Sequence, residues 1–231
     1  MNFVLHSVSH QAARLVRRWA WLEVAAYLVC VLAAALSLAQ PAHAADDGAD
    51  AFIKRVSTEI LDTIKADKSI RNGDVQKISV LVDQRVMPHV NFQRMTASAV
   101  GPGWRQASAD QQKRLQDEFK TLLVRTYAGA LSQVSDQTIS VKPLRAAPDD
   151  KEVIVRTEVR GKGEPIQIDY RVEKSADAPS GWRIYNLNVM GIWLVDNYRS
   201  QFAQEVNAKG VDGLIASLAE RNQANRKADA K

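Results

Sequence analysis

Apolar side chains recur at helical spacing over residues 50–66, where Phe52, Ile53, Val56, Ile60, Leu61 and Ile64 form one stripe, so the chain opens its folded part with a helix. Asp74 can cap a second helix carrying Val75, Ile78, Val82 and Val86, which Pro88 ends by disfavouring the α conformation in the residue before it. A short helix over Phe92–Ala99 follows, Gly101-Pro102-Gly103 breaks the chain, and Ser108-Ala109-Asp110-Gln111 has the capping-box form that opens a long helix to about Val134. From Thr138 the period falls to two. Val153, Val155, Thr157 and Val159 alternate with charged residues, Ile154 being out of phase, and Ile166, Ile168, Tyr170 and Val172 alternate with Gln167, Asp169, Arg171 and Glu173. Gly161–Pro165 and Ala176–Gly181 read as hairpin loops, so 139–144, 152–160, 166–174 and 182–190 form a four-stranded antiparallel meander. After Gly191 the spacing of Ile192, Val195, Tyr198 and Phe202 turns helical, and Asn207-Ala208-Lys209-Gly210-Val211-Asp212-Gly213 ends that helix and begins another. Helices, then a sheet, then helices make an α+β domain: a four-stranded antiparallel sheet wrapped by about six helices.

The first 44 residues carry a different pattern. Arg14, Arg17 and Arg18 precede an apolar run from Val24 to Ala39, and Ala42-His43-Ala44 has the small-x-small form cut by signal peptidase. The run is shorter than the roughly 20 residues a spanning helix needs, so residues 1–44 read as a cleavable signal peptide rather than a retained anchor. Leu28-Val29 before Cys30 lacks the small residue of a lipoprotein signal. Removing this segment takes three arginines and one glutamate, lowering the formal net charge from +5 to +3, and takes Cys30, His6, His10 and His43 with them. The mature chain then has no cysteine and one histidine, His89. Its near-neutral balance gives no concentrated basic face for nucleic acid. Residues 45–50 read as a mobile leader, 51–220 as one domain, and 221–231, with no apolar residue larger than alanine, as a disordered tail.

Two blocks carry a resemblance. Gly191-Ile192-Trp193-Leu194-Val195-Asp196-Asn197-Tyr198-Arg199-Ser200-Gln201-Phe202, followed by Gly210-Val211-Asp212-Gly213-Leu214-Ile215, resembles the C-terminal signature of the MlaC family, periplasmic phospholipid-binding shuttle proteins of Gram-negative bacteria also known from toluene tolerance. The central block from Met87 to Leu131, with Pro88, His89, Phe92, Met95, Gly101, Trp104, Arg105, Phe119, Leu122 and Tyr127, resembles the same family in the same order. Trp193 stands where a small residue is usual and Asn91 where aspartate commonly precedes the phenylalanine. The resemblance implies a deep apolar cavity between helices and sheet that holds the acyl chains of a glycerophospholipid. It also implies periplasmic location and partners in an inner-membrane ABC transporter complex with an MCE-domain protein and an outer-membrane lipoprotein–porin complex, in a pathway that maintains outer-membrane lipid asymmetry.

Under that reading the pocket is expected among Phe92, Met95, Trp104, Phe119, Leu122, Leu123, Tyr127, Val153, Val155, Val159, Ile166, Ile168, Tyr170, Val172, Leu187, Val189, Val195, Tyr198 and Phe202, with Arg105, Asn197 and Arg199 at its rim for the headgroup. Each apolar member has an equally simple reading as filled core, and Tyr198 and Arg199 also read as pins between helix and sheet. Two acyl chains bring roughly 30 methylenes at about 0.8 kcal/mol each on leaving water, which a dry pocket can supply without chemistry. No enzyme is expected: there is no G-x-S-x-G, H-E-x-x-H or CxxC, and a lone histidine lacks a nucleophile and an orienting partner. His89 therefore reads as a structural residue at a helix end, and neither metal nor cofactor is expected. Two other readings stay open: an exported pocket enzyme of isomerase-like fold, which needs an acid or His89 facing the pocket, and a lipid-free envelope adaptor, which needs the pocket filled.

Overall fold

Side-chain caps set the start of four helices in the computed structural model of the chain, which describes residues 48–147 and 149–229. Helix α1 covers Ala49–Ala66, and Asp67 stops it and caps the short α2, Lys68–Arg71, through the amides of Ser69 and Ile70. Asp74 caps α3, Val75–Leu81, through the amides of Gln76 and Lys77. The expected continuous helix to Pro88 instead widens into a π-helical turn over Val82–Val86 and a 3-10 turn over Met87–His89. Asn91 caps α4, Phe92–Val100, and α5 is the single turn Gly103–Gln106. Both arms of the Ser108–Gln111 capping box are present at the start of α6, Ala109–Ser132.

The sheet has five strands in sequential order: β1 Thr138–Val141, β2 Glu152–Arg160, β3 Ile166–Lys174, β4 Trp182–Val189 and β5 Ile192–Trp193. All neighbours run antiparallel. The fifth strand corrects the expectation that the helical run starts at Ile192. Met190 (φ 51) and Gly191 (φ 90) form a two-residue turn that folds Ile192 back onto Val189, the left-handed pair favoured in hairpins. A bulge where Val172 pairs with Ile184 and Arg171 with Asn186 leaves Tyr185 as the extra residue. At the same place the chain before α4 joins the sheet, Asn91 N donating to the Ile184 carbonyl at 2.8 Å.

Helix α7, Leu194–Asp229, is broken at Gly210 (φ 70, ψ −176), where the sequence places its turn residues. Ser217 Oγ donates to Glu205 Oε2 across the break. The helix runs through residues expected to form a disordered tail: Asn222, 1% exposed, donates to the carbonyl and carboxylate oxygens of Glu118 on α6. Ala49, expected in the mobile leader, is likewise buried as the first residue of α1. The segment expected to be a signal peptide, residues 1–44, lies outside the described residues. No helix of the described part is long and apolar enough to cross a membrane.

One core unites α1, α4, α6, α7 and the inner face of β2–β4. A smaller one joins Ile64, Ile70, Ile78, Leu81 and Ala128 beneath α2 and α3.

Candidate functional site

The register of the sheet orders its inner face into rows, and the rows differ in cover. Val153, Val172 and Ile184 lie side by side and are all buried. In the next row Val155 and Tyr170 are buried and Leu187 is half-buried. The third row, Val141, Thr157, Ile168, Val189 and Ile192, crosses the whole sheet, and only Thr157 in it is sealed. In the last row Ile139 and Val159 are half-buried and Ile166 is 42% exposed. At the same end of the sheet, at the turn that joins β4 to β5, Met190 is 71% and Ile192 58% exposed. The helical cover runs out towards this end while the apolar pattern continues, which leaves a contiguous apolar strip meeting water.

A side chain on the wall of a void wide enough for water keeps some accessible area, so fully sealed residues mark solid packing. That criterion divides the expected pocket. Phe119, 0% exposed, stacks on Phe92 at 5.9 Å between ring centroids and meets Tyr198 and Phe202 edge-on at 5.1 and 5.2 Å. These four rings, with Met95, Leu122 and Val195, fill the junction of α4, α6 and α7 with one another. Val155 and Val172 are sealed as well. The half-buried members, Leu123 and Tyr127 on α6 and Val159, Ile168, Leu187 and Val189 on the strands, remain available as walls, together with Ile60 on α1, which the sequence reading did not include. The signal that could have separated the groups is position along the strand: wall candidates cluster at one end of the meander.

Polar groups on the inner face are few and satisfied. Thr157 Oγ1 donates to the Ile168 carbonyl at 2.9 Å, and Ser57 Oγ on α1 donates to Tyr170 OH at 3.3 Å. Burial raises the Tyr170 phenol above its ordinary range, holding it neutral. The carboxylates point the other way. Glu158 pairs with Lys142 and Arg160, and Asp169 shares its row with Arg156 and Asn188 on the outer face. His89 rests edge-on against Phe52 at 5.8 Å, and burial, with Arg55 adding to it, lowers its pKa.

The unusual residues have structural partners. Trp193 lies on the outer face opposite Asn188 and carries the Arg171 guanidinium 4.0 Å from its ring centroid, with Arg171 also facing Asp196. Asn91 Oδ1 accepts from Arg94 N at 3.0 Å while its Nδ2 donates to Glu173 Oε1 at 2.7 Å, the second bond being one an aspartate could not make. Arg94 itself bridges Glu173 and Glu152 and lies over the Tyr185 ring, whose hydroxyl donates to Glu152 at 2.8 Å.

The expected rim does not meet the apolar strip. Arg105 and Arg199 instead line one cleft with Arg94, Trp104 and residues of α4, α5 and α7, and no strand residue reaches it. Asn197 is exposed and outside that cleft. Arg94 ties the cleft to the Glu152–Glu173 end of the strands, seven residues and roughly 23 Å from Val159.

Comparison with known proteins gives a consistent set. The family sequence model described as MlaC protein matches residues 54–220. The intermembrane phospholipid transport system binding protein MlaC of Haemophilus influenzae is 21% identical over 169 residues, covering 72% of this chain and 78% of the relative. The toluene tolerance protein ttg2D of Pseudomonas putida is 27% identical over 180 residues, covering 74% and 82%. Among solved structures, the phospholipid-binding protein from Ralstonia solanacearum in complex with a phospholipid superimposes with a TM-score of 0.73 at 47% identity, covering 77% of this chain and 98% of that one.

Proposed function

The chain belongs to the MlaC family, and from that premise we propose that it is a periplasmic phospholipid carrier. Its acyl chains would lie against the strip formed by Ile168, Leu187, Val189 and Val159, beneath Leu123 and Tyr127. The observation that carries this reading is the continuation of the apolar inner face past the end of its helical cover, in a chain 47% identical to a protein whose structure holds a phospholipid. Chain burial makes no directional demand, so binding is tolerant of chain length and headgroup, and the headgroup stays at the open end beside Met190 and Ile192. Among the described residues, the strand carboxylates Glu158 and Asp169 lie on the outer face and His89 packs on Phe52, which favours carriage of the intact lipid over hydrolysis or isomerisation.

A carrier needs a donor and an acceptor. The relative named for an intermembrane phospholipid transport system supports the reading that this chain exchanges lipid with an inner-membrane MCE-domain transporter complex and an outer-membrane lipoprotein–porin complex, preserving outer-membrane lipid asymmetry. The test is deletion of the gene followed by fractionation and envelope assays. The protein should be found in the periplasmic fraction of the parent cells with residues 1–44 removed, and the deleted cells should expose phospholipid on their surface and become detergent-sensitive. Cytoplasmic recovery, or an unchanged outer leaflet after deletion, contradicts the proposal.

A further inference from the structure

The arginine cleft is unexplained by lipid carriage along the strip. It is an open cleft of about 540 Å³ between α4, α5 and α7, and no acidic residue among the described residues lines it. Its floor is apolar: Ala97 and Val100 from α4, Pro102 and Trp104 around α5, and Ala203 from α7. Three guanidinium side chains reach it, and they are not equivalent. Arg94 is neutralised by Glu152 and Glu173. Arg199 donates only its Nε, at 3.0 Å to the Ser98 carbonyl, which fixes the side chain at the cleft edge and leaves both terminal nitrogens free. Arg105 has no hydrogen-bonding or ionic partner among the described residues. The backbone is built for close approach: Gly101, at φ 68, turns the chain between α4 and α5, and a Cβ on Gly103 would sit 2.9 Å from Val206 Cγ1, so α5 is pressed onto α7.

A cleft of this volume falls within the range of small-molecule sites, and two guanidiniums with free terminal nitrogens at the lip of an apolar floor match an oxyanion attached to an apolar body. We propose that the cleft is a second ligand site, separate from the acyl strip, that takes a single-chain amphiphile with a phosphate or carboxylate head. Arg105 and Arg199 hold the oxyanion, and the chain lies over Trp104, Pro102 and Ala203. Such molecules are the lysophospholipids and fatty acids that phospholipid breakdown produces. The inference does not rest on the carrier reading, because the cleft shares no residue with the strip.

Calorimetric titration with decyl phosphate below its micellar concentration tests this, with decanoate as the carboxylate arm and decyl maltoside as the neutral control. Decyl phosphate or decanoate should bind with a stoichiometry near one and weaken as salt is raised, and the tighter of the two identifies the head. Affinity should fall at least tenfold in R105Q/R199Q and in A203W, which fills the floor without changing charge. It should be retained in I168E, whose acyl strip is disabled. Equal binding of decyl maltoside, or binding that survives R105Q/R199Q but is lost in I168E, overturns the proposal. Failure of the carrier reading is distinguishable, since protein purified without phospholipid would still give this titration.

Discussion

Ile168 on β3 lies directly opposite Val189 on β4, and both are half-buried, although they share the face on which Val172 and Ile184 are sealed. Two apolar neighbours left short of cover at the same end of a sheet are what a ligand with no shape preference can use. Introducing a carboxylate there sets its desolvation against chain binding. Ile168→Glu should abolish lipid retention while the domain stays folded, because the side chain can reach water when no lipid is present. Asp169→Leu, on the outer face, should retain lipid. Lipid content by extraction and folding by circular dichroism check this, and loss of lipid only in the Asp169 variant would reverse the assignment of faces.

Phe119 should matter to stability rather than to specificity. Its ring is enclosed by Phe92, Tyr198 and Phe202, so Phe119→Ala should cost about 3–5 kcal/mol in chemical denaturation. Phe119→Leu should lose far less and keep the same bound lipid species. A changed lipid profile at preserved stability would move these rings from the core to the pocket wall.

The central block and the hairpins were legible because their signals are local. The Ser108–Gln111 box needs four residues to state its geometry, and the period of two over 152–174 needs only that one face be dry. What the sequence did not disclose is either too short to show a period or held by a distant partner. The two-residue β5 exists because Met190 and Gly191 turn the chain back, and the last turns of α7 are held by Asn222 on Glu118, one buried polar side chain inside a stretch that reads as tail. The aromatic residues of α4, α6 and α7 have the same pattern whether they face a ligand or each other, so periodicity alone could not divide wall from core.

Asn91 offers a test of a departure from the family pattern. Asn91→Asp keeps the cap on Arg94 N but places a carboxylate against Glu173. A loss of about 1–2 kcal/mol is expected, recovered when Glu173→Gln is added, because the amide restores a donor to the pair. An unchanged unfolding midpoint in Asn91→Asp would mean the Asn91–Glu173 bond carries no net weight.

Tyr185 and Glu152 give the fold a pH signature. Burial first, and then the bond to Glu152, push the Tyr185 phenol up to about 12, while that same hydroxyl is the main cause that holds the Glu152 carboxyl below its ordinary range. The raised phenol contributes stability that is fully present below its unfolded value near pH 10 and is lost as pH rises towards 12. The lowered carboxyl contributes stability present above its unfolded value and lost as pH falls through the folded one. Urea midpoints across the acid and alkaline ranges should therefore show both limbs in the parent, and Tyr185→Phe should shrink the acid limb and flatten the alkaline one. An alkaline limb that persists in Tyr185→Phe contradicts the assignment.

His89 is the sole histidine after Ala44, so with residues 1–44 removed, as proposed, any histidine-dependent mechanism runs through it. Burial keeps it neutral in the fold, and the stability it contributes is lost as pH drops below its ordinary value and the unfolded chain takes up a proton first. His89→Ala should remove that loss, cost the contact with Phe52, and leave lipid occupancy and cellular detergent resistance unchanged. Detergent sensitivity at full occupancy and unaltered midpoint would give His89 a role beyond packing.

Native mass spectrometry of protein purified from the periplasm without detergent, followed by extraction and lipid analysis, tests the central claim most directly. The account predicts a complex with phospholipid of mixed chain length and headgroup, its ester bonds intact, and no such complex for Ile168→Glu. Recovery of the parent protein without lipid, or with only lysolipid and free fatty acid, would contradict it.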